Sequence, residues 1–392
     1  MIRLLSGLKF LDLIWILFLS FHLLPVVPEY VPIAVRVVSW GIVLTGFLSK
    51  TSFRDVLRIV PLYSIAFLHI LYSLFQGADN ILELLYSYLQ LFTISFAFIY
   101  IDKNDDSRFA VNTLKFAALF LVITAVTTIV GNSIYPGASR VLASSKNDAQ
   151  MYHPILRMNV GGFDFTYMLV LIVPFLVYSV KNRTLPVIPA VLVLLLSCGA
   201  IIYSEYTFAI IFMMIGLLSF FFPRRLWRKS ILPIAVVIVI IYMLFRSFLP
   251  SALEAVAARI DSEVVTERLQ DMSLTLQGKE VENGSDLGSR IDLMKKSIDA
   301  FESDILFGSY HDVGGHSFIL DALGRYGLLG LTGLVLMILT YYKVYMRPLK
   351  EEPYYGYFFI CIVIYSALVF LNPQPFYIAV SLIVPLLFKY AT

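Results

Sequence analysis

Charge is what this sequence has least of. Only 15% of its 392 residues are Asp, Glu, Lys or Arg, where soluble domains carry roughly a quarter, and 59% are hydrophobic. A water-soluble chain of this length would divide into domains of roughly 100–200 residues joined by polar linkers; the linkers are missing, and the mean hydropathy is +0.81. Cysteine is also scarce, with two residues in the chain. Cys198 and Cys361 each sit inside an apolar block, which excludes a disulfide framework and a cysteine metal centre. The net charge is +3 with Lys and Arg scattered between apolar blocks, so the clustered basic face of a nucleic-acid binder is absent. Histidine is sparse as well: His22 and His69 fall in separate apolar stretches, and His311, Asp312 and His316 do not have zinc-ligand spacing. No metal or other cofactor is expected.

What the sequence has instead is a succession of apolar runs of helix length. A bilayer core of about 30 Å takes roughly 17–25 apolar residues as a helix. On that measure spans are expected near 8–27, 31–48, 59–75, 84–101, 114–130, 163–180, 185–202, 206–222, 231–249, 317–342, 356–371 and 375–388, an all-α membrane protein of about twelve helices. The first run follows Arg3 and Lys9 and leads into Pro25, Val26, Val27 and Pro28 rather than a small-x-small cleavage site, so it is read as a membrane helix and not a removable signal. Asn372-Pro373-Gln374-Pro375 separates two short runs that are also compatible with a re-entrant pair.

Orientation follows from the basic residues of the short loops. Lys50, Arg54 and Arg58, then Lys103, Arg108 and Lys115, then Lys181 and Arg183, then Arg224, Arg225, Arg228 and Lys229, then Lys343, Arg347 and Lys350 mark one side. The alternate loops, around Glu29, Gln76 to Asn80, Glu205 and Asn372 to Gln374, carry none. Both termini are therefore expected in the cytoplasm. Residues 1–249 form helices 1–9 on this reading, 250–316 a long extracytoplasmic loop, and 317–392 helices 10–12. A second outer loop runs from Gly131 to Gly162.

The long loop is not filler. Ser289 with Asp292 three residues on is a capping pattern, and Ile291, Met294, Ile298 and Phe301 recur at helical spacing. An amphipathic helix on the membrane surface is expected, with Arg290 in its first turn. His316 falls at the start of the next span, where a helix N-terminus disfavours imidazolium and a neutral imidazole can act as a base. Taken singly, His316 is read as an interfacial cap, Arg290 as a solvated helix residue and Arg157 as an interfacial anchor. Asp321 and Arg325, four apart, have the spacing of an intrahelical ion pair, although ionisable residues in a span are candidates for function by default.

His316-Ser317-Phe318-Ile319-Leu320 with Gly327 eleven residues after the histidine resembles the signature of the O-antigen ligase and O-antigen polymerase superfamily. Ser289-Arg290, the amphipathic helix and Gly308 are similar to the family's extracytoplasmic segment, and Arg157 with Gly161 before a helix containing Pro174 is similar to its mid-chain entry. The sequence departs from the family at Ser204-Glu205-Tyr206, where members carry Ser-Arg; Arg140, Arg246, Arg259 and Arg268 are the alternatives for that charge.

The resemblance implies a GT-C-like fold in the bacterial inner membrane and a metal-independent glycosyltransferase. Its donor would be an undecaprenyl-pyrophosphate-linked oligosaccharide. His316 and Arg290 would be catalytic, and Arg157 and Arg290 would bind pyrophosphate, with Arg325 as a further candidate. A flippase and a chain-length regulator are the implied partners. Polymerisation of repeat units into surface polysaccharide is preferred, because nothing in the chain points to a lipid A core acceptor. Transfer of glycan to such an acceptor by a ligase stays open. So does transport of a polar or lipid-linked solute, although no repeated halves are visible.

Overall fold

A computed structural model describes residues 9–76, 81–104, 107–144, 149–221, 286–309, 313–372 and 378–390, with scattered positions between 251 and 274. All regular structure among the described residues is helical. The helices are α1 (Phe10–Leu23), α2 (Ile33–Leu48), α3 (Phe53–Phe75), α4 (Ile81–Asn104), α5 (Ser107–Ile134), α6 (Ala138–Ser144) and α7 (Ala149–Arg157). They continue with α8 (Phe163–Asn182), α9 (Val187–Tyr203), α10 (Thr207–Phe221), α11 (Asp286–Ser303), α12 (Phe318–Tyr341), α13 (Tyr355–Leu371) and α14 (Ala379–Tyr390). Eleven of the expected spans thus coincide with helices; the expected span 231–249 lies outside the described residues, as do Pro373 to Pro375.

Five of these stretches are long and apolar enough to cross a membrane: Phe53–Phe75, Ile81–Asn104, Ser107–Ile134, Phe163–Asn182 and Phe318–Leu349. Large apolar side chains face outward from them and from the shorter helices, among them Phe67, Phe75, Leu82 and Ile188. Water does not tolerate so much contiguous apolar surface, whereas lipid does, and helices satisfy their own backbone groups in a medium without water. The chain is a membrane protein.

It forms two compact units. The first comprises Met1–Phe221, Val335–Ser366 and Phe376–Thr392; the second comprises Phe222–Leu334 and Ala367–Pro375. In the first unit α8 is apolar on all sides and buried over most of its length, packing against α9, α10 and α14. Where helices cannot rely on hydrophobic burial to associate, small residues and polar pairs hold them. Gly216 of α10 is such a residue: a Cβ there would meet a Val173 methyl of α8 at 2.9 Å. The polar pairs are buried hydroxyls. The Trp15 indole N–H donates to Thr113 Oγ1 at 3.0 Å, joining α1 to α5, and Trp40 donates to Thr93 at 2.9 Å, joining α2 to α4. Lys389 and Asp102 pair between α14 and α4.

Thr113→Val keeps the shape but removes the acceptor of a buried indole. An interhelical hydrogen bond in a membrane protein contributes about 0.6–2 kcal/mol. The variant should melt lower in detergent by that margin, and a Trp15→Phe change in the same background should add little, as measured by thermal unfolding of the purified proteins.

Candidate functional site

Within the second unit, α11 packs against the start of α12. The apolar stripe expected from Ile291, Met294, Ile298 and Phe301 is rotated. Ser297 and Ala300 are the fully buried positions, while Ile298 is exposed. The helix also begins at Asp286, so Ser289 lies within it rather than capping it. Small residues centre the buried face because the two backbones nearly touch: a Cβ at Gly324 of α12 would lie 2.6 Å from the Ser297 carbonyl oxygen, and one at Gly314 only 1.9 Å from that of Leu293. Arg290 is half-buried, seven residues before Ser297 and thus on the same face. Along the helix axis the two are about 10 Å apart.

The turn into α12 is held from both sides. Ser317 is the N-cap, its Oγ accepting from Leu320 N–H at 3.2 Å. The Asp321 carboxylate, 7% exposed, faces back into the loop. Its Oδ1 accepts from the Ser297 hydroxyl at 2.6 Å and from Gly315 N–H at 3.1 Å, and its Oδ2 accepts from Ser317 N–H at 3.1 Å. Ser297 Oγ in turn accepts from Gly314 N–H at 3.0 Å. His316 lies between the two amides that Asp321 holds, half-buried, after Gly315 in the left-handed region with φ +74°. The first free N–H of the helix, on Phe318, donates to the Asn372 carbonyl at 2.9 Å.

Asp321 therefore does not pair with Arg325, as their spacing suggests; its acceptors are filled by neutral donors. Arg325, one turn further along α12, has its Nε buried with no hydrogen-bond partner. A buried guanidinium nitrogen without an acceptor calls for an anion or water.

Gly327 explains itself structurally. Its φ of +56° and ψ of −136° break α12, a conformation open to glycine alone. The break frees Leu328 N–H and the Gly324 carbonyl, which an unbroken helix would pair with each other. Leu328 N–H donates instead to Ile305 O at 2.8 Å, and Gly324 O accepts from Ser309 N–H at 2.7 Å. The turn that supplies both is ordered by Asp304, whose Oδ1 accepts from Leu306 and Phe307 N–H at 3.1 Å each, and by Gly308 at φ +73°.

In the first unit, Arg157 ends α7, exposed, with its Nε 3.9 Å from Glu29 Oε1; His153 Nδ1 is 2.9 Å from the same oxygen. An exposed pair of this kind contributes little to stability. The backbone after it is far more constrained. Asn159, at φ +58°, accepts from Val26 N–H at 3.2 Å through Oδ1 and donates to Thr124 at 3.0 Å through Nδ2. Gly161 N–H donates to Thr128 Oγ1 at 2.7 Å, and the Gly161 carbonyl accepts from Ser139 Oγ at 2.7 Å. Ser139 also meets Ser204 Oγ at 3.3 Å and accepts from the Tyr206 hydroxyl at 2.7 Å through its carbonyl. Arg140 follows Ser139 directly. Of the four arginines that could replace the absent Ser-Arg, Arg246, Arg259 and Arg268 lie outside the described residues.

The structure thus joins His316, Asp321, Ser297 and the helix of Arg290 in one unit, and holds Arg157 and Arg140 in the other. Ser297 escaped sequence reasoning because a serine in an amphipathic helix looks like its wet face. Among the described residues no three metal-ligating side chains gather; His311 and Asp312 are not among those residues.

Gly327→Ala should be poorly tolerated. A Cβ there would lie 2.5 Å from Ile305 O, and a left-handed L-residue adds about 1–2 kcal/mol. The variant should accumulate less and melt lower than a Gly41→Ala control, where a Cβ meets nothing within 4 Å, read by fluorescence-detected size exclusion with heating.

The comparison with curated proteins returns no match. Residues 190–314 match the family model described as O-antigen ligase, about a third of the chain. The matched stretch takes in most of α9, then α10, Arg290, α11 and the Gly308 turn, and it ends two residues before His316. Over residues 190–314 the chain is similar to the O-antigen ligase family, consistent with the O-antigen polymerase and ligase superfamily that its histidine motif resembles.

Proposed function

We propose that this protein is a metal-independent membrane glycosyltransferase that polymerises undecaprenyl-pyrophosphate-linked repeat units into surface polysaccharide on the extracytoplasmic face of the bacterial inner membrane. The observation that carries the proposal is the fastened turn at His316, tied to the helix of Arg290 inside the unit that contains most of the matched loop. In the reaction the acceptor sugar hydroxyl attacks the anomeric carbon of the donor. The bond from that carbon to the pyrophosphate oxygen breaks, and undecaprenyl pyrophosphate leaves with the electron pair. His316 takes the hydroxyl proton. Arg290 stabilises the leaving charge with paired donors that are always ionised, and Arg325, with its buried unpaired Nε, is proposed to share it. Arg157 is proposed as a further pyrophosphate ligand, as the resemblance implies.

The lipid anchor of such a donor brings its pyrophosphate to headgroup depth. Exposed Ile298, Ile305, Leu306 and Phe307 beside Lys295 and Lys296 suit α11 and its turn to that boundary. The alternation of basic loops supports about twelve spans with both termini cytoplasmic, a GT-C-like arrangement, and 250–316 as the extracytoplasmic catalytic loop. A flippase delivering the donor and a chain-length regulator are the proposed partners.

The test is purified protein in nanodiscs with a polyprenyl-pyrophosphate oligosaccharide, with EDTA present throughout. A ladder of products is expected. A single transfer, made only when a lipid A core acceptor is supplied, would identify a ligase, and movement of donor without a new glycosidic bond would identify a transporter. Arg290→Ala should slow the ladder by about a hundred- to a thousand-fold, with poor rescue by Lys because an ammonium lacks the planar two-point contact. His316→Gln should slow it by about a hundred- to ten-thousand-fold; near-normal activity would reduce His316 to a cap.

Topology has its own test. In a chain with Cys198 and Cys361 changed to Ser, Ser303→Cys should react with a membrane-impermeant maleimide on intact spheroplasts. Reaction only after permeabilisation would place the turn in the cytoplasm and overturn the extracytoplasmic site.

A further inference from the structure

We infer that Asp321 is a positioning residue for the reaction, holding His316 in place and setting its register against the helix of Arg290; this rests on the glycosyl-transfer reading above. Three observations converge on it. The carboxylate is buried, and its acceptors are occupied by one hydroxyl and two backbone amides. Those amides belong to Gly315 and Ser317, the residues on either side of His316. The hydroxyl belongs to Ser297, on the face of α11 that carries Arg290 two turns earlier.

One side chain thus fastens both peptide neighbours of the proposed base and, through a 2.6 Å bond, the helix of the proposed pyrophosphate ligand. Ser297 completes the clasp by accepting from Gly314 N–H. The glycines are what let it close. Gly314 and Gly324 allow the loop and α12 to approach α11 to a distance that any Cβ would forbid.

Stability alone does not require a carboxylate here. The cap of α12 is already made by Ser317, and a buried ionisable group in a membrane protein is expensive. Its geometry answers a different need. A general base must be held within hydrogen-bond reach of the proton it takes, and a displacement of about 1 Å can slow a reaction on the order of a hundred-fold. His316 follows a glycine in the left-handed region, and the clasp fastens the amide on either side of it.

Asp321→Asn keeps the size and one acceptor but turns an NH2 toward amides that are themselves donors. In the nanodisc assay it should lower kcat on the order of ten- to a hundred-fold while KM for the lipid-linked donor stays within about two-fold. Hydrogen exchange of the peptide covering 313–320 should accelerate at the Gly315 and Ser317 amides, with α12 beyond Gly327 unchanged. Ser297→Ala, a milder change to the same clasp, should move both readouts in the same direction, and it carries the test if Asp321→Asn does not accumulate. In the His316→Gln background, Asp321→Asn should add little to the loss, since it acts through His316.

A fall in kcat/KM that comes from KM alone, with exchange unaltered, would make Asp321 a donor contact and overturn the inference. So would wild-type kcat with wild-type exchange. An active His316→Gln variant would instead sink the glycosyl-transfer role of His316. An inactive His316→Gln beside a fully active Asp321→Asn sinks the positioning role alone.

Discussion

The second unit depends on a hydrogen bond that α12 does not make. Leu328 N–H and the Gly324 carbonyl would pair in a continuous helix, and Gly327 separates them. In a bilayer, or at its edge, an unsatisfied backbone group costs several kcal/mol, so the break persists only if something else supplies both partners. The 305–309 turn does, with the Ile305 carbonyl and the Ser309 amide. Docking that turn brings the end of α11 against α12. The docked helix then brings Ser297 to Asp321, and Asp321 defines the loop around His316.

Much of this was legible in the sequence, for reasons that differ by element. The apolar runs announced the helices because lipid demands a minimum length of apolar residues, and that demand is written in consecutive positions. Thus α8, buried nearly all round, and α5, long and apolar, fall where hydropathy places them. The α11 helix was legible as a helix, but its orientation was not. Its stripe was read from Ile298, which faces out, and missed Ser297, which faces in. Hydrophobic periodicity ranks side chains by size and polarity, whereas close backbone packing selects for smallness and rewards a hydroxyl with a partner. The partner lies 24 residues away across a turn, and periodicity within one helix carries no trace of it. Asp321 and Arg325 misled as well: their spacing permits an ion pair, but the Asp321 carboxylate is taken by Ser297 across the turn and by the Gly315 and Ser317 amides.

The first unit has a comparable centre. Ser139, Gly161, Ser204 and Tyr206 meet through hydroxyls and carbonyls, with Thr128 and Asn159 fixing the chain on either side of Gly161. No single one of these residues is distinctive in sequence. Glu205 stands where the family pattern carries arginine, and it takes a left-handed φ of +56° at the end of α9. Arg140 follows Ser139, which bonds the residues on either side of Glu205.

The spacing of the histidine motif has a mechanical reading. Ser317 caps α12, and Gly327 breaks it ten residues later. Between them is a short rod, roughly 13–15 Å long at 1.5 Å per residue, that is fastened at both ends to the same α11 and turn. Asp321 fastens its start through Ser297, and Gly324 with Leu328 fastens its far end through Ser309 and Ile305. Because each residue turns a helix by about 100°, one inserted or deleted residue between His316 and Gly327 would swing the break away from the 305–309 turn while the Asp321 clasp still held. The two fastenings are compatible at a single rod length. The histidine and the glycine are thus linked by geometry rather than by shared chemistry: the glycine sets where the rod ends, and the rod sets where the histidine sits relative to the helix of Arg290.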